Sequence, residues 1–148
     1  MDQLEFGVLL TYTLRGNFPQ IQNSRNVMLA LKKEGFINNP PILMSEWIAT
    51  TMQRKMTELP FASFFQPNTI LVPVPKSSLM QPNTLWVPER IATALVAKGI
   101  GKQVAPCLIR AKAVAKAALS SPSERPTAMQ HYESITVQEI LCNLTRSF

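Results

Sequence analysis

Aspartate, histidine, cysteine and glycine are scarce in this 148-residue chain, and each shortage excludes a kind of chemistry. Asp2 is the sole aspartate, so no pair of adjacent aspartates exists to hold a metal-bound phosphate. The single histidine, His131, and the two cysteines, Cys107 and Cys142, have no ligand spacing and cannot supply the roughly four nitrogen or sulfur donors of a structural zinc. No metal site is expected. The same three residues, bland in their surroundings, give little basis for a cysteine–histidine catalytic pair, with His131 read as a loop residue. Of five glycines the last is Gly101, so no glycine loop can wrap a phosphate in the final third of the chain. Nucleophile-elbow, P-loop and dinucleotide-binding patterns are absent. Long apolar runs are missing as well, and Met1-Asp2-Gln3-Leu4-Glu5 carries acids where a secretory signal carries positive charge. Cys107 and Cys142 lie far apart among apolar residues and read as buried free thiols. A cytoplasmic protein without a membrane partner is expected.

What the chain does have is apolar residues and positive charge. A hydrophobic content of 46% over 148 residues is enough for one core, so residues 1–148 read as a single domain. The net charge of +6 is uneven: residues 1–60 carry six bases against five acids, residues 61–148 nine against four. That excess favours an anionic partner for the second half, either a phosphorylated small molecule or an acidic surface, although many solvated basic faces bind nothing specific. Nucleic acid is the weaker reading, because no run of five like charges and no alternation of aromatics with arginine occurs.

The apolar pattern divides the chain into elements. Residues 6–14 read as a strand followed by a turn at Arg15-Gly16-Asn17. Asn23 or Ser24 caps a helix running to Glu34, with Val27, Met28 and Leu31 on one face and Gly35 as its stop. Asn39-Pro40-Pro41 opens a second helix to about Thr57, in which Leu43, Trp47, Ile48, Met52 and Met56 form a core stripe. Residues 69–74 form an unbroken apolar run, the mark of a strand covered on both faces, and a polar loop 76–83 follows it. A helix then runs to Lys98, with Ile91, Leu95 and Val96 inward, and a second strand spans 103–109: together a βαβ pattern. Residues 110–119, rich in alanine, have helix propensity and carry Arg110, Lys112 and Lys116, with Arg125 beyond a loop at 120–126. These four bases read as a mobile basic flap. A short strand at 134–137 and a terminal helix or irregular tail at 138–146 complete the chain. In an α/β domain the C-terminal end of a buried strand is where ligands bind, which makes Lys76-Ser77-Ser78 the candidate anion site.

Several of these stretches resemble the phosphoribosyltransferase-like family of competence-protein type. They are Leu71-Val72-Pro73-Val74-Pro75-Lys76-Ser77-Ser78, Trp86-Val87-Pro88-Glu89-Arg90-Ile91-Ala92, Leu108-Ile109-Arg110, Lys116, Glu124-Arg125-Pro126-Thr127 and His131-Tyr132-Glu133-Ser134. The resemblance runs from about Tyr12 to Val137 and is carried by short motifs. It implies a type I phosphoribosyltransferase fold, a mainly parallel sheet flanked by helices. It also implies phosphoribosyl pyrophosphate as ligand, with magnesium. By that likeness Lys76, Ser77 and Ser78 would face pyrophosphate, and Arg110, Lys112, Lys116 and Arg125 would close over it.

The chain departs from that family where the ribose phosphate should bind. The family places two adjacent acids and a threonine- and glycine-containing loop after a later strand; here residues 135–148 hold Glu139 alone and no glycine. The expectation is therefore a C-terminally incomplete α/β domain, catalytically impaired or inactive, that keeps an anion-binding turn. A protein-interaction module using an exposed sheet edge or apolar face, as a homo-oligomer or with a partner, is the second expectation. A basic nucleic-acid binder through Arg110 to Arg125 is the third.

Overall fold

The computed structural model describes residues 19–58, 62–116 and 120–138. The strand expected at 6–14, the tail after Gln138 and Cys142 lie outside the described residues. Helix α1, Pro19–Lys33, begins with a proline, whose missing N–H matters least in a first turn. A two-stranded antiparallel hairpin follows, β1 (Phe36–Ile37) with β2 (Ile42–Leu43), turning through Asn38, at positive φ, and a cis Asn39–Pro40 bond. The second helix, α2, is Met44–Lys55; Ile42 and Leu43, expected within it, form the hairpin instead. Strand β3 (Ile70–Leu71), helix α3 (Val87–Ala97) and strand β4 (Gln103–Val104) make the βαβ unit, with β3 and β4 parallel. Strand β5 (Leu108–Arg110) then pairs antiparallel with β6 (Ile135–Val137), and helix α4, Ala128–Glu133, leads into β6.

The mainly parallel sheet expected from the sequence is not formed. Among the described residues there are three separate two-stranded sheets, and one of them is parallel. Proline explains the interruption. Pro73 and Pro75 have no N–H to donate, and pairing of β3 stops at Leu71. On the facing strand Pro106 separates β4 from β5, where Cys107 N–H folds back onto the Ala105 carbonyl at 2.8 Å. The run 70–74 is also not covered on both faces. Ile70, Val72 and Val74 are 41%, 43% and 59% exposed, while Pro73 and Pro75 are buried. This alternation is that of an extended segment with one open side.

The core lies between α2 and α3 and is made of Met44, Ile48, Ala49, Met52, Leu95 and Ile100, with Val27, Ala30 and Leu31 of α1 packed against it. Burial at 44, 48 and 52, with 45 and 49 beside them, follows the helical period; of the expected stripe Ile48 and Met52 are buried, and Trp47 and Met56 pack against the core half-buried. The end of α3 is a Schellman motif: Gly99 N–H reaches the Val96 carbonyl at 2.9 Å and Ile100 N–H the Leu95 carbonyl at 2.9 Å. Gly99 has φ +76°, open to glycine without strain, and Ile100 is delivered into the core beside Leu95. Gly101, at φ +88°, leaves room that a β-carbon would not have, since it would stand 3.1 Å from the Thr69 carbonyl and 3.2 Å from Leu71.

Helix α1 ends the same way, with Gly35 N–H on the Ala30 carbonyl at 2.8 Å, but its left-handed residue is Glu34 at φ 49° rather than a glycine. The side chain explains the choice. Glu34 Oε1 accepts hydrogen bonds from the N–H and the hydroxyl of Ser45, in the first turn of α2. A carboxylate there meets both the unpaired N–H groups and the positive end of the helix. One residue therefore closes one helix and caps the next.

Candidate functional site

The turn after β3 is held from three sides. Trp86, buried, donates its indole N–H to the Val74 carbonyl at 3.1 Å, tying the start of α3 to the end of the apolar run. Lys76 Nζ donates to the Leu85 carbonyl at 2.9 Å and closes the stem of the loop between them. From below, the guanidinium of Arg110, 6% exposed, donates to the Lys76 carbonyl at 2.8 Å. The same guanidinium donates to the His131 carbonyl at 3.3 Å and to the Ser134 hydroxyl. Arg110 thus joins the candidate turn to the end of α4, where helix carbonyls are unpaired and favour a cation.

Residues 111–116 do not form the expected helix. Ala111 N–H donates to the Ser134 carbonyl at 2.8 Å and Val114 N–H to the Ser77 carbonyl at 2.9 Å, so tertiary hydrogen bonds override alanine's helix propensity. The basic flap expected from the sequence is, over these residues, a strap stitched to the turn and to Ser134 at the end of α4. Its residues contribute to the lining of two cavities.

On one side is a cavity of about 430 Å³ lined by Lys32, Lys76, Ser77, Ser78 and Lys116, with Leu31, Leu85, Val87 and Pro88 as its apolar walls. Among the described residues its lining contains no carboxylate. The hydroxyls and N–H groups of Ser77 and Ser78 have no hydrogen-bond acceptor among the described residues. Three lysines, of which Lys76 also donates to the Leu85 carbonyl, and two serines line a donor-rich pocket suited to a polyanion. On the other side of the strap a cavity of about 320 Å³ is lined by Lys112 together with Glu124, Glu133 and Gln130. There one lysine faces two acids.

The structure therefore brings Lys76, Ser77, Ser78 and Lys116 together and separates them from Lys112. Arg110 supports the turn from within the protein rather than facing the cavity, and exposed Arg125 lines neither pocket. Lys32 is the lining residue that sequence reasoning did not assign; its place in the last turn of α1 was visible, its proximity to Lys76 was not. His131 lies in α4 rather than in a loop. The signal for that helix is present in the sequence: Thr127 accepts from Gln130 N–H at 3.2 Å, and Gln130 Oε1 accepts from Thr127 N–H at 2.8 Å, a capping box of the Thr-x-x-Gln kind.

Cys107 is a buried free thiol, as expected. Among the described residues no group of three or more metal-ligating side chains comes together, and no helix is long and apolar enough to cross a membrane. No protein-family model, curated protein or solved structure matches the chain.

Proposed function

We propose that the chain binds a phosphorylated small molecule in the cavity at Lys32, Lys76 and Lys116 without turning it over. The observation that carries this reading is the grouping of three lysines and the two serines of one turn around a cavity with no acid among its described lining residues. Phosphoribosyl pyrophosphate with magnesium is the ligand implied by the family resemblance. Among these 148 residues Asp2 is the lone aspartate and no glycine follows Gly101, so this stretch does not carry the acidic pair and glycine loop with which that family grips the ribose phosphate. Pyrophosphate should therefore bind about as well as the whole molecule.

Calorimetric titration with pyrophosphate and with phosphoribosyl pyrophosphate, each with and without magnesium, tests this. The expected Kd for pyrophosphate is about 1 mM, or about −4 kcal/mol, as suits a few solvent-exposed charge-assisted hydrogen bonds. No heat at several millimolar pyrophosphate would remove the reading. Micromolar binding of phosphoribosyl pyrophosphate would show that the ribose-phosphate half is recognised after all.

A second reading, a protein-interaction surface, is favoured by the open row Ile70, Val72 and Val74. Pro73 and Pro75 make the strand edge itself a poor pairing partner, so the face rather than the edge would be covered by a second copy. Light scattering across a concentration series tests it, and a strict monomer would count against it.

A further inference from the structure

We infer that the lysine cavity is one half of a longer site whose occupant is a nucleoside diphosphate, with the uncharged nucleoside lying in the adjoining cavity walled by α2 and α3. This rests on the anion reading above. The second cavity is the larger, about 760 Å³, and Leu85 lines both, so the two meet across a single half-open side chain. Lys32 and Glu34, two residues apart at the end of α1, line one cavity each.

The character of the second cavity differs from that of the first. Glu34 and Glu46 offset Arg90 and Lys98 along its lining, so it offers a second phosphate no net attraction. Ile42, Leu43, Ala94 and Ala97 supply apolar wall, which favours a flat ring over a small hydrated sugar. Thr50 and Thr93 supply hydroxyls, partners for a ribose or for the ring of a base. A diphosphate in the lysine cavity joined to such a group would fill both spaces.

The test compares pyrophosphate, ADP and ribose 5-phosphate by calorimetry on the full chain and on Thr93→Trp, an exposed position of α3 that lines the second cavity and lies apart from the lysines. ADP should bind about tenfold tighter than pyrophosphate, a difference of about 1.4 kcal/mol, and ribose 5-phosphate should gain nothing. Thr93→Trp should return ADP to the affinity of pyrophosphate and leave pyrophosphate unchanged, with the thermal midpoint confirming that the variant is folded. Ala97→Trp, on the same helix, should do the same. ADP binding no tighter than pyrophosphate, or ADP binding insensitive to both tryptophans, would overturn the inference and leave the anion site standing. A tighter ribose 5-phosphate than ADP would overturn it in favour of a sugar phosphate. Failure of pyrophosphate itself to bind would instead remove the anion reading, and the inference with it.

Discussion

Two cavities flank the strap at residues 111–116, and they differ in one respect that matters more than size. The one at Lys32, Lys76 and Lys116 has no carboxylate among its described lining residues, while the one at Lys112 has Glu124 and Glu133. Both draw most of their lining from the basic half of the chain, with Leu31 and Lys32 of α1 added to the first. The contrast teaches that an excess of positive charge in the sequence does not locate an anion site; the local sum of charges around a concave, donor-rich surface does. Lys112 and Lys116, four residues apart, fall on opposite sides of that distinction.

The most damaging way to break the contrast is to remove what holds both cavities in place. Arg110→Met would delete the donor shared by the Lys76 carbonyl, the His131 carbonyl and the Ser134 hydroxyl. Leaving such buried acceptors unpaired should lower stability by about 3 kcal/mol, measured by urea denaturation, and abolish pyrophosphate binding as the turn loosens. Arg110→Lys keeps one cation but not the geometry of three donors, and should recover only part of the loss.

A smaller loss of stability is expected at the far wall. Glu34→Ala removes the carboxylate that accepts from Ser45 and should cost about 1 kcal/mol by thermal denaturation, the usual penalty for losing an N-terminal cap. Glu34→Gly removes the same cap but suits the positive φ, and should therefore be less destabilising than alanine.

Binding should separate the cavities without disturbing the fold. Lys76→Ala with Lys116→Ala should weaken pyrophosphate about tenfold in calorimetry, whereas Lys112→Ala should leave it within about twofold of the parent. The smallest expected effect is a gain. Glu124→Gln with Glu133→Gln leaves Lys112 without its opposing charges, and should add a second, weaker pyrophosphate site detectable as a change in stoichiometry at low salt.

The middles and ends of α1, α2 and α3 are legible in the sequence because apolar spacing is local: α1 and α3 close near the residues that their glycines mark, and Ile48 and Met52 lie in the core. Their starts are less so, since α1 begins at Pro19, ahead of the cap expected at Asn23 or Ser24, and α2 at Met44. The sheet is not legible from the apolar character of 70–74, because the prolines in and beside that run decide its pairing. Pro73, Pro75 and Pro106 stop the ladders and leave pairs of strands where a continuous sheet was expected. The candidate turn was legible for a similar local reason, as a polar turn closing an apolar run. Which bases face it was not, because that depends on contacts across long stretches of chain. Arg110 reaches back to Lys76 and is buried, Val114 pairs with Ser77, and Lys32 arrives from α1. Nothing in the spacing of Arg110, Lys112, Lys116 and Arg125 shows that one is a strut and another lines the pocket.

The central claim is that charge and donors converge at Lys76–Ser78 and not elsewhere on the basic half. A titration of the isotope-labelled chain with pyrophosphate, followed by the shifts of its amide resonances, tests this most directly. The account predicts the largest shifts at Ser77, Ser78, Lys116 and Lys32, with Lys112 and Glu133 unmoved. Shifts centred on Lys112 and Glu133, or spread evenly over the lysines and arginines of the chain, would contradict it.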